Sequence, residues 1–139
     1  MVLQNKTGIG SGELAIVVID DNPQSLEYVS NVLVHEGVTI LTAANAEEGL
    51  ALIYAHRPQI VLTDIAMPGQ SGLDVVQQVA KFDSTIQVIV MSARDSGVSA
   101  TKALQLGAAD YLAKPISLSV LRERVGRFIK AVQAKRSES

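Results

Sequence analysis

The chain has 139 residues, 47% of them hydrophobic and 19% charged, with a formal net charge of −2 at pH 7 and no cysteine. Domains usually run to roughly 100 to 150 residues, so this length suits one compact core and excludes a second folded domain. The near-balanced charge excludes an electrostatically driven nucleic-acid binder, and the missing thiols exclude disulfide scaffolds, Cys nucleophiles and Cys-ligated metal centres.

Residues 1–13 are polar and glycine-rich with no apolar signal-peptide core, and are expected to form a flexible tail. No run of about 18 apolar residues occurs, so no membrane span is signalled and a cytoplasmic location is expected. Ala15 to Ile19 is a continuous apolar, β-branched run that predicts a buried strand. Asn22 then caps a helix with Pro23 at its first position, and Leu26, Val29 and Leu33 recur on one face. Thr39 to Thr42 predicts a second strand, followed by a helix over 45–55 whose Asn45 and Glu48 have capping-box spacing. Ile60 to Thr63 predicts the third strand, and Ser71 with Asp74 the start of the third helix. Val88 to Met91 is the fourth, followed by a helix opening near Ser96 and stopping at Gly107. Tyr111 to Ala113 is the fifth, and the last helix starts at Ser117 with Leu118, Leu121, Val125, Phe128 and Ile129 on its apolar side. Arg122, Arg124, Arg127 and Lys130 lie on its polar side and read as a solvated or partner-facing surface; residues 133–139 read as a tail or linker stub.

Five strand-then-helix units predict an α/β fold with a doubly wound parallel sheet, domain limits near 14–132, and ligands beyond the carboxyl ends of the strands. Chemistry-bearing residues recur at those ends. Asp20-Asp21 follow the first strand, Asp64 the third, Ser92 the fourth and Lys114 the fifth. Three carboxylates a few ångströms apart repel one another, so the cluster calls for a hard cation, and an all-oxygen donor set favours Mg²⁺. A cation-bound carboxylate facing an ammonium and a hydroxyl suits phosphoryl transfer, whose transition state spreads charge over three oxygens. Asp64 is then the nucleophile, Asp20 and Asp21 the metal holders, and Lys114 and Ser92 the partners of two phosphoryl oxygens. Taken singly, each residue has a plainer reading as a turn, a cap or a solvated surface group. Their coincidence at four strand ends favours the chemical one. His35 and His56 have no partner at metal-ligand spacing and read as structural or surface residues.

These runs, Ile16 to Pro23, Val61 to Gly69 with Ser71-Gly72, Val88 to Ala93 and Gly107 to Pro115, make the chain resemble the receiver domains of two-component response regulators over residues 14 to about 130. The resemblance implies a five-stranded sheet in the order 2-1-3-4-5. It implies that Asp64 takes a phosphoryl group from a phosphohistidine of a sensor histidine kinase or histidine phosphotransfer protein. Asp21, Asp64 and the backbone carbonyl of Ala66 would ligate Mg²⁺ directly, and Asp20 through water. Ser92 matches the hydroxyl switch position and Tyr111 the aromatic one, and the Lys114–Pro115 bond is expected to be cis. Phosphorylation adds about −1.5 to −2 charges at the sheet edge. Ser92 would turn to the phosphoryl oxygen, Tyr111 would follow, and the face of the fourth helix, fifth strand and fifth helix would repack.

The resemblance also implies kinase docking around Gln24, Ser25 and Leu26, an unidentified effector domain or target protein, and homodimerisation on phosphorylation; from charge and the lack of an apolar span, neither direct nucleic-acid nor membrane binding is expected. The domain would not be an enzyme in its own right, though it would support its own phosphorylation and slow dephosphorylation. Ala66 and Arg94 occupy positions that influence water access to the acyl phosphate. Ala66 has no polar group to orient that water, which predicts slow self-hydrolysis. Ala109 stands where many DNA-binding members carry Asp, so their dimer interface is not expected here. Two other readings share some of these residues. A haloacid dehalogenase-type phosphatase needs a second Asp two residues after its first-strand nucleophile, but Asn22 stands there after Asp20. A phosphorylation-independent pseudo-receiver normally lacks one of the acidic pair, the phosphoacceptor or the lysine, all of which are kept.

Overall fold

A computed structural model describes residues 14–93, 97 and 100–138. The expectations placed on residues 1–13, Arg94 and Ser96 lie outside the described residues. Strands β1 (Ala15–Ile19), β2 (Thr39–Ala43), β3 (Ile60–Asp64), β4 (Gln87–Ala93) and β5 (Asp110–Lys114) pair in parallel in the order 2-1-3-4-5. Helices α1 (Pro23–Leu33), α2 (Ala46–His56), α3 (Gly72–Phe82), α4 (Ala100–Gln105) and α5 (Leu118–Glu138) connect or follow them, with one 3₁₀ turn at Val34–Glu36.

The apolar runs are continuous because both sheet faces are covered. In β1, Ile16 and Val18 point to a core shared with Val29, Val32 and Leu33 of α1 and Leu121, Val125 and Ile129 of α5. Val17 and Ile19 point to the other core, with Leu50 and Ile53 of α2, Val75, Val76 and Val79 of α3 and Ala103 of α4. Each fully buried aliphatic side chain contributes about 1.5–3 kcal/mol, so the two cores carry most of the stability.

Helix starts follow the local chemistry. The Asn22 carboxamide accepts from Gln24 N and Ser25 N at 2.9 and 3.2 Å, and Ser71 with Asp74 forms a full capping box. Asn45 accepts from Glu48 N at 2.9 Å, but the Glu48 carboxylate reaches back one residue further than the capping-box spacing predicts, to Ala44 N at 3.0 Å. Ser117 Oγ accepts from Val120 N at 3.2 Å at the start of α5. Two readings of α5 are corrected. It continues as helix through 133–138, where a tail was expected, because Ala134 and Lys135 are good helix formers with no breaker before them. Arg124 is half-buried and paired rather than free on the polar side: one of its guanidinium nitrogens bonds both oxygens of Asp110 on β5 at 2.8 Å. His35 and His56 are exposed, as expected of surface residues.

Candidate phosphoacceptor site

Parallel register brings the functional residues together. Ile19 pairs with Thr63, Asp64 with Met91, Ser92 with Ala113 and Ala93 with Lys114, so β1, β3, β4 and β5 end within a residue or two of one another. Beyond those ends, oxygens of Asp20, Asp21 and Asp64 all lie within 4.8 Å of one another. Asp20 is fully buried and Asp64 nearly so, while Asp21 is exposed. One Asp20 oxygen accepts from Asn22 N at 3.0 Å, and the other receives Lys114 Nζ at 2.7 Å. Lys114 Nζ is also 3.5 Å from Asp64 Oδ2. The Lys114–Pro115 peptide is cis.

Burial pushes the Asp64 carboxyl above its ordinary range, since it has lost hydration; the Lys114 ammonium opposes that rise and the Asp20 carboxylate adds to it. Two buried carboxylates beside one exposed carboxylate and a single ammonium leave net negative charge at this edge. An all-oxygen donor set so placed fits a small hard cation that binds oxygen at about 2.0–2.1 Å, which is how Mg²⁺ behaves. Among the described residues, Asp20, Asp21 and Asp64 are the clustered side chains able to hold it.

Ser92 is fully buried at the end of β4, its hydroxyl donating to Ala93 O at 3.2 Å. Tyr111 pairs with Val90, so by the two-residue period of a strand it shares a sheet face with Ser92. Tyr111 is half-buried against the α2–α3–α4 core. Ala66, the expected carbonyl ligand, is exposed two residues past Asp64. Gln24, Ser25 and Leu26 stand on the first turn of α1; with Tyr28, Lys114 and Ile116, Gln24 and Ser25 border a cleft of about 570 Å³.

Gly72 also belongs to the site. A Cβ there would collide with the backbone carbonyl oxygen of Asp64, and Gly72 N donates to Ile65 O at 2.9 Å. The available signal was a glycine directly after a capping serine, where alanine would form helix better.

A family model described as the response regulator receiver domain matches residues 16–126. The chain belongs to this family of two-component signalling domains. It is 33% identical over 118 residues to the "Probable C4-dicarboxylate response regulator DctR" of Bacillus subtilis, covering 84% of this chain and 52% of that protein. The chain thus spans about half the length of that curated relative. Among solved structures, a response regulator receiver domain protein from Clostridium thermocellum superposes with a TM-score of 0.80 at 28% identity, covering 87% of this chain and 98% of that one. A CheY-like receiver domain protein from Methanospirillum hungatei superposes with a TM-score of 0.81 at 26% identity, covering 90% and 99%. Membership sets aside the phosphatase reading. No helix among the described residues is long and apolar enough to cross a membrane.

Proposed function

We propose that Asp64 is the phosphoacceptor of a Mg²⁺-dependent switch. An Asp64 carboxylate oxygen attacks phosphorus, a P–O bond forms as the P–N bond of a partner's phosphohistidine breaks, and the imidazole leaves. The observation that carries this reading is the convergence of Asp20, Asp21 and Asp64 oxygens within 4.8 Å, with Lys114 paired to two of the three. Asp21, Asp64 and the Ala66 carbonyl would hold Mg²⁺, with Asp20 acting through water, and the ion would supply neutralising charge for the incoming phosphoryl group.

Lys114 sits between Asp20 and Asp64, so its ammonium is already placed to meet a phosphoryl oxygen on Asp64. The Ser92 hydroxyl leaves the Ala93 carbonyl for a second phosphoryl oxygen, Tyr111, on the same face, turns into the space vacated, and the α4–β5–α5 face repacks. The sensor kinase or histidine phosphotransfer protein docks over α1 near Gln24, Ser25 and Leu26. The switched α4–β5–α5 face engages an effector domain, a target protein or a second copy of the chain, in the cytoplasm. Residues 14–132 act as the signalling unit. With Ala66 offering no polar group to water, the acyl phosphate is long-lived; a lifetime of seconds would contradict this. The test is intact-mass spectrometry after incubation with Mg²⁺ and a small acyl-phosphate donor. One phosphoryl adduct, absent in Asp64→Ala and with chelator, supports the reading.

A further inference from the structure

We propose that Tyr28 is a positioning residue for Lys114: its hydroxyl, carried on α1, holds the Pro115–Ile116 turn that sets where the Lys114 ammonium stands over Asp20 and Asp64. The inference rests on the phosphoacceptor reading above and adds a residue to it. Tyr28 is 41% exposed, while the apolar side of α1 is buried through Val29, Val32 and Leu33. Core packing does not explain where its hydroxyl lies. Across 88 positions of sequence, that hydroxyl donates to the carbonyl oxygen of Ile116 at 3.0 Å, two residues past Lys114.

Lys114 is the final residue of an edge strand whose ladder runs on one side only, to Ala93 of β4. Pro115 follows with no N–H to donate, so the turn cannot be pinned through that residue's amide. Ile116 is half-buried against the α1–α5 core, which holds its side chain; the Tyr28 hydroxyl holds its backbone. The lysine carries a flexible four-carbon stem, and a shift at its root moves the ammonium relative to two carboxylates that it meets at unequal distances, 2.7 and 3.5 Å. The helix that borders the docking cleft is thereby tied to the ammonium that would meet the phosphoryl group.

The experiment compares the native chain with Tyr28→Phe, which removes one hydroxyl and keeps the ring. With Mg²⁺ and a small acyl-phosphate donor, Tyr28→Phe is expected to accept phosphoryl groups roughly three- to tenfold more slowly at saturating donor, the effect of one net hydrogen bond, with an unchanged half-saturating concentration. In a Lys114→Ala background, the same substitution is expected to slow the residual reaction no further. Equal rates for native chain and Tyr28→Phe overturn the proposal, as does a slowing that persists undiminished without Lys114. A second readout needs no donor: in chain labelled at the lysine ε-carbons, the Lys114 resonance, identified by its loss in Lys114→Arg, shifts in Tyr28→Phe. An unmoved resonance overturns the proposal. A native chain that takes up no phosphoryl group from this donor or from a phosphohistidine protein contradicts the phosphoacceptor reading instead, and the resonance then decides the role of Tyr28.

Discussion

Gly72 packs so closely on Asp64 that there is no room for a Cβ between its Cα and the Asp64 carbonyl oxygen. The obstacle is backbone, not the end of a flexible side chain, so it cannot swing aside. Gly72→Ala is therefore expected to destabilise the fold by about 1–3 kcal/mol, the usual cost of overpacking, even though alanine favours helix. It also displaces the turn after β3 and slows phosphoryl uptake by Asp64. Urea unfolding and the mass assay check both; an alanine variant as stable as the native chain would show that the turn after β3 yields to admit a methyl group.

The raised carboxyl of Asp64 sets a pH dependence. Burial lifts its folded pKa above the unfolded value, so the folded state binds this proton more tightly. The associated stability is fully present below the unfolded pKa and is lost as pH rises through the folded one. Asp64→Asn has no such proton, so in Mg²⁺-free buffer near neutral pH it is expected to melt above the native chain, with the gap closing on acidification. Thermal melts across that range with chelator test this. A variant that melts lower at neutral pH would mean that the Lys114 attraction outweighs burial.

Lys114 and a bound cation compete for the same carboxylates, because the ammonium lies 2.7 Å from Asp20. Lys114→Ala is expected to tighten Mg²⁺ binding while slowing phosphoryl transfer. Two unit charges about 4 Å apart interact by about 1 kcal/mol even at the dielectric of water, so the gain is roughly fivefold or more. Calorimetric titration measures it, and weaker binding in the variant would contradict the arrangement.

Asp110 and Arg124 tie β5 to α5, and Asp110 Oδ1 also accepts from the backbone amide of Tyr111 at 2.8 Å. The Arg124 side chain is 35% exposed, so solvent screens the pair. Arg124→Ala is expected to cost about 1 kcal/mol or less in stability. Hydrogen exchange at the Tyr111 amide should quicken, and unaltered exchange would show that Asp110 holds that amide without help from α5.

Strand and helix positions were legible because their signals are local: β-branched runs for β1, β3 and β4, and capping side chains at Asn22, Asn45, Ser71 and Ser117. The site was legible for a related reason. In a parallel sheet the carboxyl ends of the strands fall on one edge, so Asp20, just past β1, and Asp64, Ser92 and Lys114, in the last two residues of β3, β4 and β5, could be gathered without knowing the strand order. Relationships between distant segments were not legible. The Asp110–Arg124 pair ties Arg124 to β5, and no periodicity distinguishes it from Arg122 or Arg127. Gly72 and Tyr28 act through a backbone approach and a bond across 88 positions, which only the assembled sheet reveals. The polar composition of 133–138 masked a helix that needs no apolar face of its own.

The most direct test of the central claim is the intact mass of the native chain and Asp64→Ala after incubation with Mg²⁺ and an acyl-phosphate donor, with the native chain repeated in chelator. A single phosphoryl adduct on the native chain alone, lost with chelator, is the predicted result. An adduct that survives Asp64→Ala, or a folded native chain that binds Mg²⁺ and acquires none from either the small donor or a phosphohistidine protein, would contradict it and favour a domain that signals by contact alone.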